Sequence, residues 1–321
     1  MTILTNLLQS LGWAVLNSLW QLALLWVLYQ FITAAFKSAR PAAKSLLATS
    51  LLILGFGWFV YTFFSAPGTD NISTASTIFI LNENSSINNL VQKLLPTTSV
   101  LYLCLLVFPV FRFIRNFRYV QVIRHYGLSK ATPEWRLFVQ DMSARMGIRK
   151  PVHIWLSEWV TSPVTIGYLK PVILVPLAAV NKLSTQQVEA ILLHELSHIR
   201  RYDYLLNFIC NIIRTILYFN PFAKAFIKII EVEREKSCDE FVLQFRYNSY
   251  DYASALLTLE KISREQKLLM LSAAGNGKDL YQRIETIMGV QQKRRVTILR
   301  TVPVIAAIGC ILLMNVLLYT G

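Results

Sequence analysis

Met1 to Phe36 contains no charged side chain, and the stretch from about Leu11 to Phe36 is long enough to cross a bilayer. In lipid a backbone must satisfy its own hydrogen bonds, so such a run folds as a helix. A second uncharged run covers Ser45 to Ser65, a third Leu94 to Phe111 and a fourth Thr301 to Gly321. The third is short and contains Pro96 and Pro109. We read four transmembrane helices. The first run lacks the basic flank and small-residue cleavage site of a signal peptide. Composition agrees with this reading. The 321-residue chain is 54% hydrophobic and 16% charged, with a mean hydropathy of +0.44, whereas a soluble chain is about a quarter charged.

Orientation follows from where lysine and arginine fall. Lys37, Arg40 and Lys44 occupy the turn after the first run, which places that turn in the cytoplasm. Arg112, Arg115, Arg118 and Arg124 follow the third run, and Lys293, Arg294, Arg295 and Arg300 precede the fourth. All these clusters fall on one side. The expected layout is therefore three helices over residues 1–115, with an outside loop at about 66–93. A cytoplasmic domain over 116–300 and a fourth helix over 301–321 complete it, with both termini outside a bacterial-type cytoplasmic (inner) membrane. The net charge of +14 is then explained by anionic headgroups beside the spans, and no direct nucleic-acid partner is expected. Cys104, Cys210, Cys238 and Cys310 form no CxxC pair, so no disulfide framework is expected.

The inserted domain reads as α+β. Lys130 to Met146 is helical in pattern and ends at Gly147. Val152 to Leu156 alternates like a strand. Val172, Ile173, Leu174 and Val175 form a β-branched run between Pro171 and Pro176, and flanking prolines suit an edge strand. Ser184 is an N-cap, with Gln187 at the capping-box position. Asp203 to Leu217 is apolar apart from Arg214. It fits either a membrane-surface helix or a buried helix with Arg214 at its rim. Further helices are expected from Ala223 to about Phe245 and from Tyr250 to Arg264.

The chemistry centres on His194-Glu195-Leu196-Ser197-His198. Histidines at i and i+4 share a helix face and can reach one ion. In such HExxH sites the glutamate beside the first ligand is the general base. The plain alternative is two surface histidines on an ordinary helix. A catalytic zinc takes three protein ligands and keeps one position open. No third histidine follows, so a carboxylate has to complete the set. Glu235 and Asp239 are again four apart, which suits Glu235 as ligand and Asp239 as a carboxylate that orients a ligand histidine. Glu231 is the reserve ligand. Cys238 is read as packing. Tyr247, Arg246 and His153 are candidates for oxyanion stabilisation.

These segments resemble the BlaR/MecR-type membrane metallopeptidases, peptidase family M56. The resemblance rests on Thr165 to Pro176, Ile191 to Asp203, Tyr218 to Phe222, Glu231 to Leu243 and Arg283 to Met288. It implies a gluzincin-type Zn2+ endopeptidase in which His194, His198 and Glu235 hold the metal. Glu195 is then the base, Asp239 the supporting carboxylate, and the Val172–Val175 strand the edge on which a peptide substrate adds. It also implies a protein substrate such as a cytoplasmic transcriptional repressor, with self-cleavage in Leu271–Gln292 as a further outcome. A second copy of the chain is kept as a candidate partner. The sensor members carry a penicillin-binding domain after the last span; this sequence stops at Gly321, so it reads either as a stand-alone member or as lacking a C-terminal extracellular part, and β-lactam sensing does not carry over. The rival function is a non-catalytic signalling scaffold with a structural zinc site. A transporter is disfavoured, because the four runs hold no Asp, Glu, Lys, Arg or His.

Overall fold

The computed structural model describes residues 2–65, 86–124, 126–167, 170–245, 247–269 and 277–289. The expected fourth helix, the basic cluster before it, Arg246 and most of the outside loop lie beyond these. Among the described residues the order is α1 (Thr2–Ala35), α2 (Pro41–Ser65), α3 (Ser86–Ile123), β1 (Leu128–Lys130), α4 (Pro133–Arg145), β2 (His153–Ser157), β3 (Val164–Ile166) and β4 (Val172–Pro176). Then follow α5 (Leu177–Val180), α6 (Thr185–Arg200), α7 (Asp203–Ile216), α8 (Pro221–Gln244), α9 (Ser249–Leu269) and α10 (Gly277–Ile287). Residues Leu4–Ala35, Pro41–Ser65 and Leu94–Ile123 are three helical stretches long and apolar enough to cross a membrane. The third exceeds the expected short run. Pro96 and Pro109 are accommodated inside α3, which continues past Arg112, Arg115 and Arg118.

The described residues fall into two compact units. One comprises those of Met1–Arg112 together with Ile212–Glu231. Here α1 and α2 are joined by a buried hydrogen bond from Gln21 Nε2 to Thr62 Oγ1 at 2.9 Å and by an edge-on Trp20–Trp58 contact. Gly12 allows α1 to meet α3 closely, since a Cβ there would stand 2.6 Å from the Leu95 carbonyl. The turn between α7 and α8 packs within this unit. Asn220 Nδ2 donates to the Ser18 carbonyl at 2.9 Å, while Asn220 Oδ1 accepts from the Phe222 and Ala223 amides at the start of α8. Ile213 and Leu217 are buried, and Arg214 stands exposed at the rim, paired with Glu231.

The second unit comprises the described residues of Phe113–Asn211 and Val232–Lys293. Its four-stranded sheet has the order β1-β2-β4-β3. β4 runs parallel to β2 and antiparallel to β3. This corrects the expected edge strand. Val172, Ile173, Leu174 and Val175 are all buried, and β4 is hydrogen-bonded on both sides. Ile173 and Val175 face one core with Leu192, Leu193 and Leu196 of α6. Val172 and Leu174 face another with Ile123 and Ile166. A run apolar at successive positions marks a strand covered on both faces, whereas the flanking prolines lie only at its ends, where a missing donor costs little. The edge strand beside β4 is instead β3, too short to stand out in the sequence. Gly167 follows it at φ +92°, and a Cβ there would lie 2.7 Å from the Lys170 carbonyl.

Because Ile173 is fully buried between β4 and α6, Ile173→Ala should remove about 2–5 kcal/mol of stability. Thermal unfolding of the purified chain in detergent measures it, with Ile173→Val expected to cost about 1 kcal/mol.

Candidate metal centre

α6 begins as expected. Ser184 Oγ accepts from the Gln187 amide, and Gln187 Oε1 accepts from the Ser184 amide. The helix buries Leu192, Leu193 and Leu196, which turns His194 and His198 together toward a cleft of about 580 Å³. The two Nε2 atoms lie 3.2 Å apart. Glu235, on α8, brings Oε2 to 3.4 Å from His194 Nε2 and Oε1 to 3.6 Å from His198 Nε2. Donor atoms about 3.3 Å apart form the edges of a tetrahedron with bonds of about 2.0–2.1 Å, the spacing zinc takes with nitrogen and oxygen ligands. Histidine 194, histidine 198 and Glu235 could thus hold one metal ion, and the donor set fits zinc.

The far side of each imidazole is pinned. His198 Nδ1–H donates to Asp203 Oδ2 at 2.7 Å. Asp203 is the first residue of α7, and the chain reaches it through Tyr202, which takes a left-handed φ of 57°. That reversal brings Asp203 back over the end of α6. His194 Nδ1–H donates to the Tyr252 hydroxyl at 2.8 Å. Tyr252 in turn donates to Asp239 Oδ1 at 2.6 Å, and that oxygen is itself 3.3 Å from Nδ1. Each ring therefore commits its Nδ1–H to a partner and turns Nε2 to the cleft, the nitrogen a metal there would take. The two Nε2 atoms face each other in a buried site.

The electrostatics favour positive charge between them. Burial opposes charge on His194, but Asp239 and Glu235 outweigh it and push its pKa up to about 9. His198 is raised too, as Cys238, Asp203 and Glu235 outweigh its burial. Burial would raise Asp239, yet His194 and Arg283 hold it down to about 2. Glu235 is likewise held well below the usual carboxylate range, with His194, His198 and Arg283 outweighing burial. A divalent cation between the Nε2 atoms supplies the charge these carboxylates favour.

Glu195 is buried beside His194. Its Oε2 accepts from Thr165 Oγ1 of β3 at 2.8 Å, and Glu195, Val164 and Thr165 all line the cleft. Other expected residues stand elsewhere. Glu231 pairs with Arg214. Tyr247 donates to Glu189, and burial with that carboxylate pushes its pKa up to about 12. His153 lines a different, smaller pocket. Cys238 is buried as expected, with Sγ 3.5 Å from His198 Nδ1. Four residues given no role from sequence belong to the centre: Thr165, Asp203, Tyr252 and Arg283. Asp203 had a legible signal, an acid at a helix start five residues after His198. Tyr252 had none, being one tyrosine on an amphipathic helix.

The family described as BlaR1 peptidase M56 matches residues 52–287. The methicillin resistance mecR1 protein of Staphylococcus aureus is 27% identical over 169 residues, 50% of this chain and 29% of that protein. Regulatory protein BlaR1 of Bacillus licheniformis is 28% identical over 139 residues, 42% of this chain and 23% of its own length. BlaR1 of Staphylococcus aureus is 26% identical over 151 residues, 46% and 25% of the two chains. The matched segment is thus under a third of each relative's length. With its membrane-length helices and its His194–His198 helix facing Glu235, the chain belongs to the M56 peptidase family.

Proposed function

We propose that the chain is a zinc-dependent endopeptidase of a bacterial cytoplasmic membrane, with its cleft on the cytoplasmic side and both termini outside. The observation that carries this reading is one cleft holding three convergent donors, a buried glutamate beside them and an edge strand along its wall. His194, His198 and Glu235 would hold the zinc. Zinc, when bound, supplies a Lewis acid that polarises the scissile carbonyl and makes water acidic near neutral pH. Glu195 accepts the proton of the attacking water and returns it to the leaving amine, and the Thr165 hydroxyl fixes the orientation of its carboxylate. Asp203, and Tyr252 backed by Asp239, hold the imidazoles in the ligating tautomer.

Substrate alignment falls to β3. Among the described residues it pairs with β4 on one side only, so a peptide can add to its outer edge as a further strand. The relatives are named as regulatory and resistance proteins, which supports a signalling role. The proposed substrate is a cytoplasmic transcriptional repressor, with the chain itself as a second. The stretch read for self-cleavage contains α10 with Met288 and Gly289, and its remaining residues lie outside those described.

Replacing Glu195 by Gln should leave one zinc per chain and reduce peptide cleavage at least 10²-fold, the scale of a general base. Metal analysis and a peptidase assay on protein in detergent check both; cleavage at the parental rate would remove Glu195 from the mechanism. Asp203→Ala should weaken zinc binding about 10–100-fold, read by chelator competition, with the parental helical content retained in circular dichroism.

A further inference from the structure

Arg283 lies on α10, 44 residues after Asp239. Its side chain is largely buried. Nε donates to Asp239 Oδ2 at 2.9 Å and Nη2 to Asp239 Oδ1 at 2.8 Å. Nη1 lies 3.1 Å from Glu235 Oε2. One planar guanidinium thus closes on two carboxylates that stand a helical turn apart on α8. Like charges at that spacing repel, and the fork of an arginine matches carboxylate geometry as a lysine cannot. Both carboxylates lead to the imidazoles. Asp239 receives the hydroxyl that holds His194, and Glu235 faces both Nε2 atoms.

The two oxygens of Glu235 are thereby made unequal. Oε2 is shared between Arg283, 3.1 Å away, and His194 Nε2, 3.4 Å away, while Oε1 lies 3.6 Å from His198 Nε2. A carboxylate free at both oxygens can ligate through both, which fills the position a catalytic zinc keeps open. We propose that Arg283 is a positioning residue of the metal centre: its fork on Asp239 and Glu235 fixes the His194 tautomer and restricts Glu235 to one ligating oxygen. This rests on the metal reading above and makes α10 a working part of the site.

The test uses the full chain in detergent as the parental protein, Arg283→Ala and Arg283→Lys. Zinc affinity is read by chelator competition, coordination by the visible absorption of the Co2+-loaded protein, and folding by the melting temperature without metal. Arg283→Ala should bind zinc about 10–100-fold more weakly and give weaker cobalt bands, the mark of a higher coordination number. Arg283→Lys should recover part of the affinity but not the parental spectrum. Parental zinc affinity and cobalt spectrum in Arg283→Ala would overturn the proposal, even with a lowered melting temperature. If that variant does not fold, Arg283→Lys decides alone. Weakened binding at an unchanged melting temperature supports the role, and parental affinity and spectrum overturn it. Failure of the metal reading looks different, for then His194→Ala would bind zinc as tightly as the parental chain.

Discussion

Two imidazole nitrogens face each other at 3.2 Å in a buried site, and the surrounding domain is arranged around that confrontation. Two nitrogens that close call for positive charge between them, a proton or a metal ion, and a buried positive charge needs negative neighbours. Four helices supply or support them. α7 brings Asp203, α8 brings Glu235 and Asp239, α9 brings the Tyr252 hydroxyl, and α10 brings Arg283, which bridges the two α8 carboxylates. The sheet contributes its edge and Thr165. Packing supports the same point, because α6 can aim both histidines at the cleft only while its leucines are held against β4.

Much of this was legible in the sequence, and what was not has physical reasons. The long helices follow from uncharged runs, and α6 from Ser184, Gln187 and the i, i+4 histidines. Glu235 and Asp239 share a helix face by spacing alone, and the structure brings Glu235 to the histidines. Roles that depend on distant pairing left no local trace. Tyr252 and Arg283 come from helices far along the chain, and only the folded domain places them. Thr165 sits in a three-residue strand with too few positions to show alternation. The prolines around β4 suggest an edge, yet its unbroken apolar run marks a strand covered on both faces. Pro171 precedes the strand and Pro176 is its last residue, and the four side chains between them are all buried.

The histidines are supported in different ways. His198 meets its carboxylate directly. His194 meets Asp239 through a tyrosine hydroxyl that is fully buried. Burial, then the nearby Asp239, raises the Tyr252 pKa well above its ordinary value, so the phenol keeps its proton and stays a donor to Asp239. Asp239 Oδ1 accepts from both Tyr252 and Arg283 and lies 3.3 Å from His194 Nδ1, so one oxygen ties the phenol, the guanidinium and the imidazole together.

The short β3 strand has a consequence for selectivity. An open sheet edge recognises main-chain amides and carbonyls in extended form, and a folded helix or a paired strand has none to give. A polypeptide that docks there must first surrender its local structure. Each 1.4 kcal/mol needed for that opening lowers its occupancy about tenfold. Discrimination at such an edge would therefore turn on how readily a protein frays at the site of attack, and a compact regulator would be protected by its own fold until something loosened it.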